Sequence, residues 1–394
     1  MTARTLNRVL RSVRPLALLA LLLAACGDPV AVPEPLESCS APDEVVSFAD
    51  PAIRAFIEAR LTAIGDGSMT CANVAQITQL NVSNKGVTTL AGVENLKGVF
   101  RSNLNENAIT DLSPMAGMTS LRELSLYGNQ ISSLAPLAGL PLEALAVEEN
   151  QLTDLGPVAE MTSLASLTFE DNLVTSLAPL ANHPSLTYLR GYDNQISSLA
   201  PLATVPSLEH IDIYGNSYAS VPDLSALAAL TYLRVGGSAL SDISGVAGLG
   251  AIEELAVVRS SVTGVGAVPG LGTLKRLILA GNLIDDMTPL AGMTGLTYLN
   301  LDDNRLTSIS AAATMTGLDE ISVNRNKITD IAPIAANLGI GAGDWFLIVG
   351  NCISPSDLGV LVPPQTQHMM EIQARGVNVQ WTPVGSDAWC GRGG

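Results

Sequence analysis

A 22-residue spacing governs this chain. From Ile77 one skeleton recurs, L-x-x-L-x-L-x-x-N-x-I-x-x-L-x-P-L-x-x-L-x-x, and it keeps its register to residue 339. One copy runs Leu121, Leu124, Leu126, Asn129, Ile131, Leu134, Pro136, Leu137 and Leu140; another runs Leu274, Leu277, Leu279, Asn282, Ile284, Met287, Pro289, Leu290 and Met293. Twelve units start at Ile77, Val99, Leu121, Leu142, Leu164, Leu186, Leu208, Leu230, Ile252, Leu274, Leu296 and Leu318. Only the third is shorter, by one residue at Pro141.

The physics of the unit is legible. Alternation in L-x-L predicts a short strand with leucines inside and the x residues outside. The Asn ends the strand, where its amide can satisfy backbone groups in the bend. Proline at the sixteenth place (Pro114, Pro136, Pro157, Pro179, Pro201, Pro289, Pro333) excludes a regular helix and predicts 3₁₀ turns or coil on the far side. No unit can bury its own leucines, so coils must stack and both ends need covers. Composition agrees, with 47% hydrophobic residues but 4% aromatic, as expected of a core filled by repeated aliphatic side chains.

This pattern closely resembles the leucine-rich-repeat family, in particular its internalin-like 22-residue class. The resemblance covers residues 45 to 390, including a helical N-cap and a Cys-to-Cys C-terminal segment containing Ala374-Arg375-Gly376-Val377-Asn378-Val379. It implies an α/β leucine-rich-repeat solenoid. Short parallel strands line the concave face and 3₁₀ turns or coil the convex face, between a helical N-cap and a disulfide-stapled C-cap. Asp50 and Pro51 predict the start of the cap helix. The Asn column departs from the pattern at Lys85, Ser238 and Ser260, so the coils around residues 235 to 265 are expected to be the softest.

Ahead of the repeats, Arg4, Arg8, Arg11 and Arg14 precede a short apolar run from Leu16 to Ala25, too short to span a bilayer. Leu23-Ala24-Ala25-Cys26 looks like a lipobox, and that resemblance implies cleavage before Cys26 and diacylation of its thiol. The expected layout is therefore a leader (1–25), a lipidated cysteine with a Pro-rich tether (26–38), an N-terminal cap (39–76), twelve repeats (77–339) and a C-terminal cap (340–394). The same resemblance implies inner-membrane retention for an Asp directly after the lipidated cysteine; here Gly27 follows Cys26 and Asp28 comes one place later, so the outer membrane or cell surface is expected.

The chain has 20 basic and 37 acidic residues. Without the leader's arginines 16 basic residues remain, a formal charge of −21. Such a field repels nucleic acid and favours basic or neutral partners. With Cys26 lipidated, Cys39, Cys71, Cys352 and Cys390 remain, and three pairings are possible. Their positions at the two ends favour Cys39–Cys71 and Cys352–Cys390, in an oxidising compartment. No Cys-x-x-Cys suggests a metal.

Function is expected on the concave face. Tyr127, Tyr188, Tyr192, Tyr214, Tyr232 and Tyr298 occupy outward places, joined by Arg190, His210, Asp212 and Arg234. Tyr and Arg are enriched among binding hot spots, although they also make stabilising cross-strand ladders. The expected ligand is a protein or glycan and the chain a monomer; the alternative is a structural spacer or matrix component without one specific ligand. An acidic strip of Glu148, Glu149, Glu170, Asp171 and Asp193 lies beside these residues, with Asp302 and Asp303 as a second pair. It is either a weak calcium candidate or a solvated rim. No cofactor and no catalysis are expected. His183 reads as a packed convex residue, His368 lies in the C-terminal cap, His210 beside Asp212 mimics a base pair only loosely, and no Gly-x-Ser-x-Gly occurs.

Overall fold

The computed structural model describes residues 39–65, 67–353 and 364–381. The leader, the tether with Cys26, and Cys390 lie outside the described residues.

Each repeat supplies one strand, and all strands pair in parallel in chain order. They are β1 (Gln79–Asn81), β2 (Arg101–Asn103), β3 (Glu123–Ser125), β4 (Ala144–Ala146), β5 (Ser166–Thr168), β6 (Tyr188–Arg190) and β7 (His210–Asp212). The series continues with β8 (Tyr232–Gly236), β9 (Glu254–Val258), β10 (Arg276–Ile278), β11 (Tyr298–Asn300) and β12 (Glu320–Ser322). The sheet then runs two strands further than the twelve repeats predict. β13 (Trp345–Ile348) and β14 (Asn378–Trp381) extend it in parallel, so the C-terminal cap is partly sheet.

Partners match place for place, as in Tyr188↔His210↔Tyr232, so each outward column of the repeat becomes a ladder across the sheet. Inside, Leu124, Leu126, Leu145, Leu167 and Leu189 and their equivalents are buried in one continuous core. Each buried leucine contributes roughly 1.5–3 kcal/mol.

The Asn column stitches neighbouring coils. Asn129 Nδ2 donates to Leu104 O of the preceding coil (3.0 Å) and to Leu126 O of its own (2.9 Å). Its Oδ1 accepts from Ile109 N, 3.1 Å away in the preceding coil. Asn351 repeats this beyond the twelfth unit, bonding Ile328 N and Val323 O.

On the opposite side the prolines sit in the first turn of short 3₁₀ segments, such as Ser113–Met115, Ala135–Leu137 and Ala178–Leu180. There the missing proline N–H costs nothing and its fixed φ suits the turn. The last repeat uses a short α-helix instead, Ala332–Ala336.

The N-cap helix, α1 (Pro51–Ala63), buries Ile53, Ile57 and Leu61 on one stripe. Asp50 Oδ1 accepts from Ala52 N and Ile53 N, while its Oδ2 accepts from Thr88 N of the first repeat (3.2 Å), tying cap to solenoid. Cys39 and Cys71 form the expected disulfide. Cys352 is also disulfide-bonded, and Cys390, its expected partner, lies outside the described residues.

Where Ser238 and Ser260 interrupt the Asn column, other groups take over its bonds. Tyr218, buried in place of an aliphatic residue, accepts from Gly236 N (3.0 Å) and donates to Ile213 O (3.0 Å) through its hydroxyl. Ser260 Oγ accepts from Gly237 N (3.3 Å). β8 and β9 also stay paired out to Gly236↔Val258, longer than any neighbouring repeat pair. The loss of hydrogen bonds expected from the two serines is thus offset locally.

Candidate binding face

Three outward columns meet on β6 to β8. In the first, the His210 ring is stacked between Tyr188 and Tyr232, with centroids 4.4 and 4.1 Å apart and interplanar angles of 15° and 4°. In-register parallel pairing causes this, because residues at one place in successive coils stand about 4.8 Å apart, close to ring-stacking distance. Burial between the rings lowers the His210 pKa; Asp212 pulls it up and Arg190 pushes it down. The ring therefore stays neutral near pH 7. Packed on both faces, the ring holds the stack together.

The second column is Arg190, Asp212 and Arg234. Asp212 is buried and Arg234 bonds it at 3.3 Å. Sequence placed Asp212 at an outward position, and the structure keeps it there but covers it with its neighbours. Arg190 reaches across to Glu170, 3.0 Å away. In the third column Tyr192 and Tyr214 lie under the guanidinium groups of Arg190 and Arg234, with 5.5 and 4.8 Å from carbon to ring centroid. Such contacts hold long side chains flat on the sheet and reduce the entropy lost on binding.

Of the ten residues singled out, eight are therefore one cluster: Tyr188, Arg190, Tyr192, His210, Asp212, Tyr214, Tyr232 and Arg234. Tyr127 stands apart, at the exit of β3, three coils from Tyr192. Tyr298 is on β11, where Arg276 covers its ring at 4.1 Å. Sequence reasoning missed Trp345, which continues the Tyr298 and Glu320 ladder on β13 and is 41% exposed. The signal was present, since Trp345-Phe346-Leu347-Ile348-Val349-Gly350-Asn351 is a further strand-and-Asn unit displaced from the 22-residue frame.

The acidic strip divides. Glu170 is buried, and burial raises its pKa to about 7, with Glu148 adding to the rise and Arg190 opposing it. Thr168 Oγ1 donates to Glu148 Oε1 (2.5 Å). The other oxygen of each carboxylate, Glu148 Oε2 and Glu170 Oε2, is buried without a hydrogen-bond partner. Glu149, Asp171 and Asp193 follow on left-handed backbone, φ 50–53°, at the place where other coils use Gly128, Gly215 and Gly281. Among the described residues no group of three or more His, Cys, Asp or Glu side chains is arranged to hold a metal ion. His183 is packed as expected: it is buried, its Nε2 lies 3.2 Å from Met161 O, and burial lowers its pKa.

The sequence profile for leucine-rich repeats in two copies matches residues 103–139 and 294–336. The fold is a leucine-rich-repeat solenoid. An internalin of Listeria monocytogenes, inlF, superposes on 86% of this chain and 96% of its own, with TM-score 0.72 and 22% identity. The leucine-rich-repeat chain of FLRT2, in an octameric complex with Latrophilin 3 and Unc5D, matches 64% of this chain and 82% of its own (TM-score 0.53, 22% identity). The ectodomain of the Arabidopsis thaliana receptor kinase GASSHO1/SCHENGEN3, in complex with CASPARIAN STRIP INTEGRITY FACTOR 2, matches 79% of this chain and 46% of its own (TM-score 0.50, 16% identity). No curated protein matches the sequence. Among the described residues no helix is long and apolar enough to cross a membrane.

Proposed function

We propose that this chain is a cell-envelope lipoprotein that binds a protein partner on the open face of its sheet, with the β6–β8 cluster as the centre of contact. One observation carries the reading: the Tyr188–His210–Tyr232 stack, with Tyr192 and Tyr214 held beside it under Arg190 and Arg234, is an aromatic surface already paid for in side-chain order. The leucine-rich-repeat neighbours from FLRT2 and the plant receptor, both solved within complexes, use the same kind of scaffold. A protein suits the surface better than a glycan. Sugars stack on free ring faces, whereas both faces of His210 and one of each tyrosine are already covered.

The anchor follows from Cys26 and its preceding Leu-Ala-Ala, with residues 27–38 as a tether and the outer membrane or cell surface as the location. Labelled palmitate should enter the wild-type chain and not a Cys26→Ser variant. For the face, the full chain and a Tyr188→Ala/Tyr192→Ala/Tyr214→Ala variant are compared in capture from detergent-solubilised envelope. A protein held by the wild type and released by the variant, at unchanged circular dichroism, supports the reading. Equal capture by both rejects the cluster as the site and favours the spacer reading.

A further inference from the structure

Charge on the sheet side is concentrated in the same coils as the aromatic cluster. In the six units from Leu142 to Ser260, the outward and strand-flanking places carry ten carboxylates (among them Glu143, Glu148, Asp193, Glu209 and Glu253) and three arginines, Arg190, Arg234 and Arg259. Equivalent places in the three preceding units hold two carboxylates and two arginines. In the three following units they hold four carboxylates and three basic residues. The formal excess is therefore seven negative charges, six when Glu170 holds its proton, focused on about 25 Å of sheet, six strands at 4.7–4.9 Å. Inside the cluster the two arginines are paired with carboxylates of the preceding coils, Arg190 with Glu170 and Arg234 with Asp212, so the remaining acids set the outward charge.

Carboxylates flank the rings on both sides. Glu209 and Glu253 are exposed where the strands enter, and Glu148, Glu149, Glu170, Asp171 and Asp193 lie where they exit. Within the exit strip, Glu148 Oε2 and Glu170 Oε2 are buried and unpartnered.

We infer that the partner is a basic protein surface, an apolar or aromatic knob set on the Tyr188–His210–Tyr232 ridge with lysines or arginines reaching both acidic rims. This deepens the binding reading above and rests on it. Complementary charge of this kind speeds encounter and excludes wrong partners, and it weakens with salt over a screening length of about 8 Å at physiological ionic strength.

The test uses the full chain in neutral detergent and two fluorescent probes, a twelve-residue peptide alternating Lys and Trp and its Glu–Trp counterpart, read by anisotropy. The Lys–Trp probe should bind, at least tenfold more weakly in 300 mM than in 50 mM NaCl, and the Glu–Trp probe should not. Glu148→Gln/Glu149→Gln/Asp171→Asn/Asp193→Asn should weaken it at least tenfold. Removal of equal charge from the far side, by Asp111→Asn/Glu160→Gln/Asp242→Asn/Asp286→Asn, should change it less than twofold. Glu209→Gln/Glu253→Gln supplies a second reading at the opposite rim if the exit-strip variant melts early. Equal binding of the two probes, or equal loss in the near-side and far-side variants, overturns the inference. So does calcium-dependent heat on titration that disappears in the exit-strip variant, since the strip would then be a metal site. These outcomes leave the capture experiment with the tyrosine variant untouched, so the two readings fail separately.

Discussion

The phenyl ring of Phe169 occupies the space that a β-carbon on Gly191 would need: a Cβ built there lies 2.1 Å from the ring's Cζ. Other coils place an aliphatic residue at both positions. Here a large residue in one coil is matched by glycine in the next, and Gly191 lies between Arg190 and Tyr192 of the candidate site. Gly191→Ala should therefore force the ring aside and destabilise the chain by about 1–3 kcal/mol. A fall in thermal midpoint, partly recovered by adding Phe169→Leu, checks this.

Tyr218 should matter more than its place in the aliphatic column suggests. Tyr218→Phe keeps the ring but leaves Gly236 N–H buried without its acceptor, at a cost of about 1–3 kcal/mol. Hydrogen exchange should accelerate at Gly236 and across β8 and β9, while the first six strands keep their protection. Unchanged exchange there would show that the hydroxyl is dispensable.

Glu170 gives a pH signature. Its folded pKa, about 7, lies above its ordinary value of 4.5, so the folded state holds this proton more tightly than the unfolded chain does. The associated stability is complete below about pH 4.5 and is lost as pH rises through 7, with an upper magnitude of roughly 3 kcal/mol. Denaturation of wild type and Glu170→Gln between pH 4.5 and 8 should converge towards acid and separate above neutrality, the variant being the more stable there. Parallel curves would refute the buried-carboxyl account.

The Cys39–Cys71 link closes 32 residues of cap sequence. Cys39→Ser/Cys71→Ser should lower stability by about 3–4 kcal/mol on the chain-entropy scale. The change should appear as early melting of α1 and β1, measured by exchange or limited proteolysis, with the central coils protected.

The periodic part of this molecule was legible in the sequence. Leucines at fixed places, Asn129 and its equivalents, and the convex prolines each specify one local geometry, and stacking multiplies them. The in-register parallel ladder then places Tyr188, His210 and Tyr232 on one another, as their shared column implies. What the single unit conceals is whatever passes between columns or breaks the frame. Asp212 is covered by Arg234, which a column reading counts as a separate outward residue. Trp345 lies behind a lengthened twelfth interval, so a strict 22-residue frame ends before it. Tyr218 stands at an aliphatic place, and only the missing asparagine in the next coil gives it a polar task. The left-handed residue before each Asn was also available, in the alternation of Gly128 and Gly215 with Glu149, Asp171 and Asp193.

Because Asn129 and its equivalents bond only to their own coil and the one before, no coil depends on how many others follow. The wall can therefore be lengthened or shortened by whole turns, like links in a chain. Cutting out residues 274–295, for example, would set Tyr298 beside Glu254 with Asn304 in the place of Asn282, giving a shorter sheet of the same pitch between unaltered ends. Evolution of a new contact surface on such a molecule can proceed by copying and editing single turns.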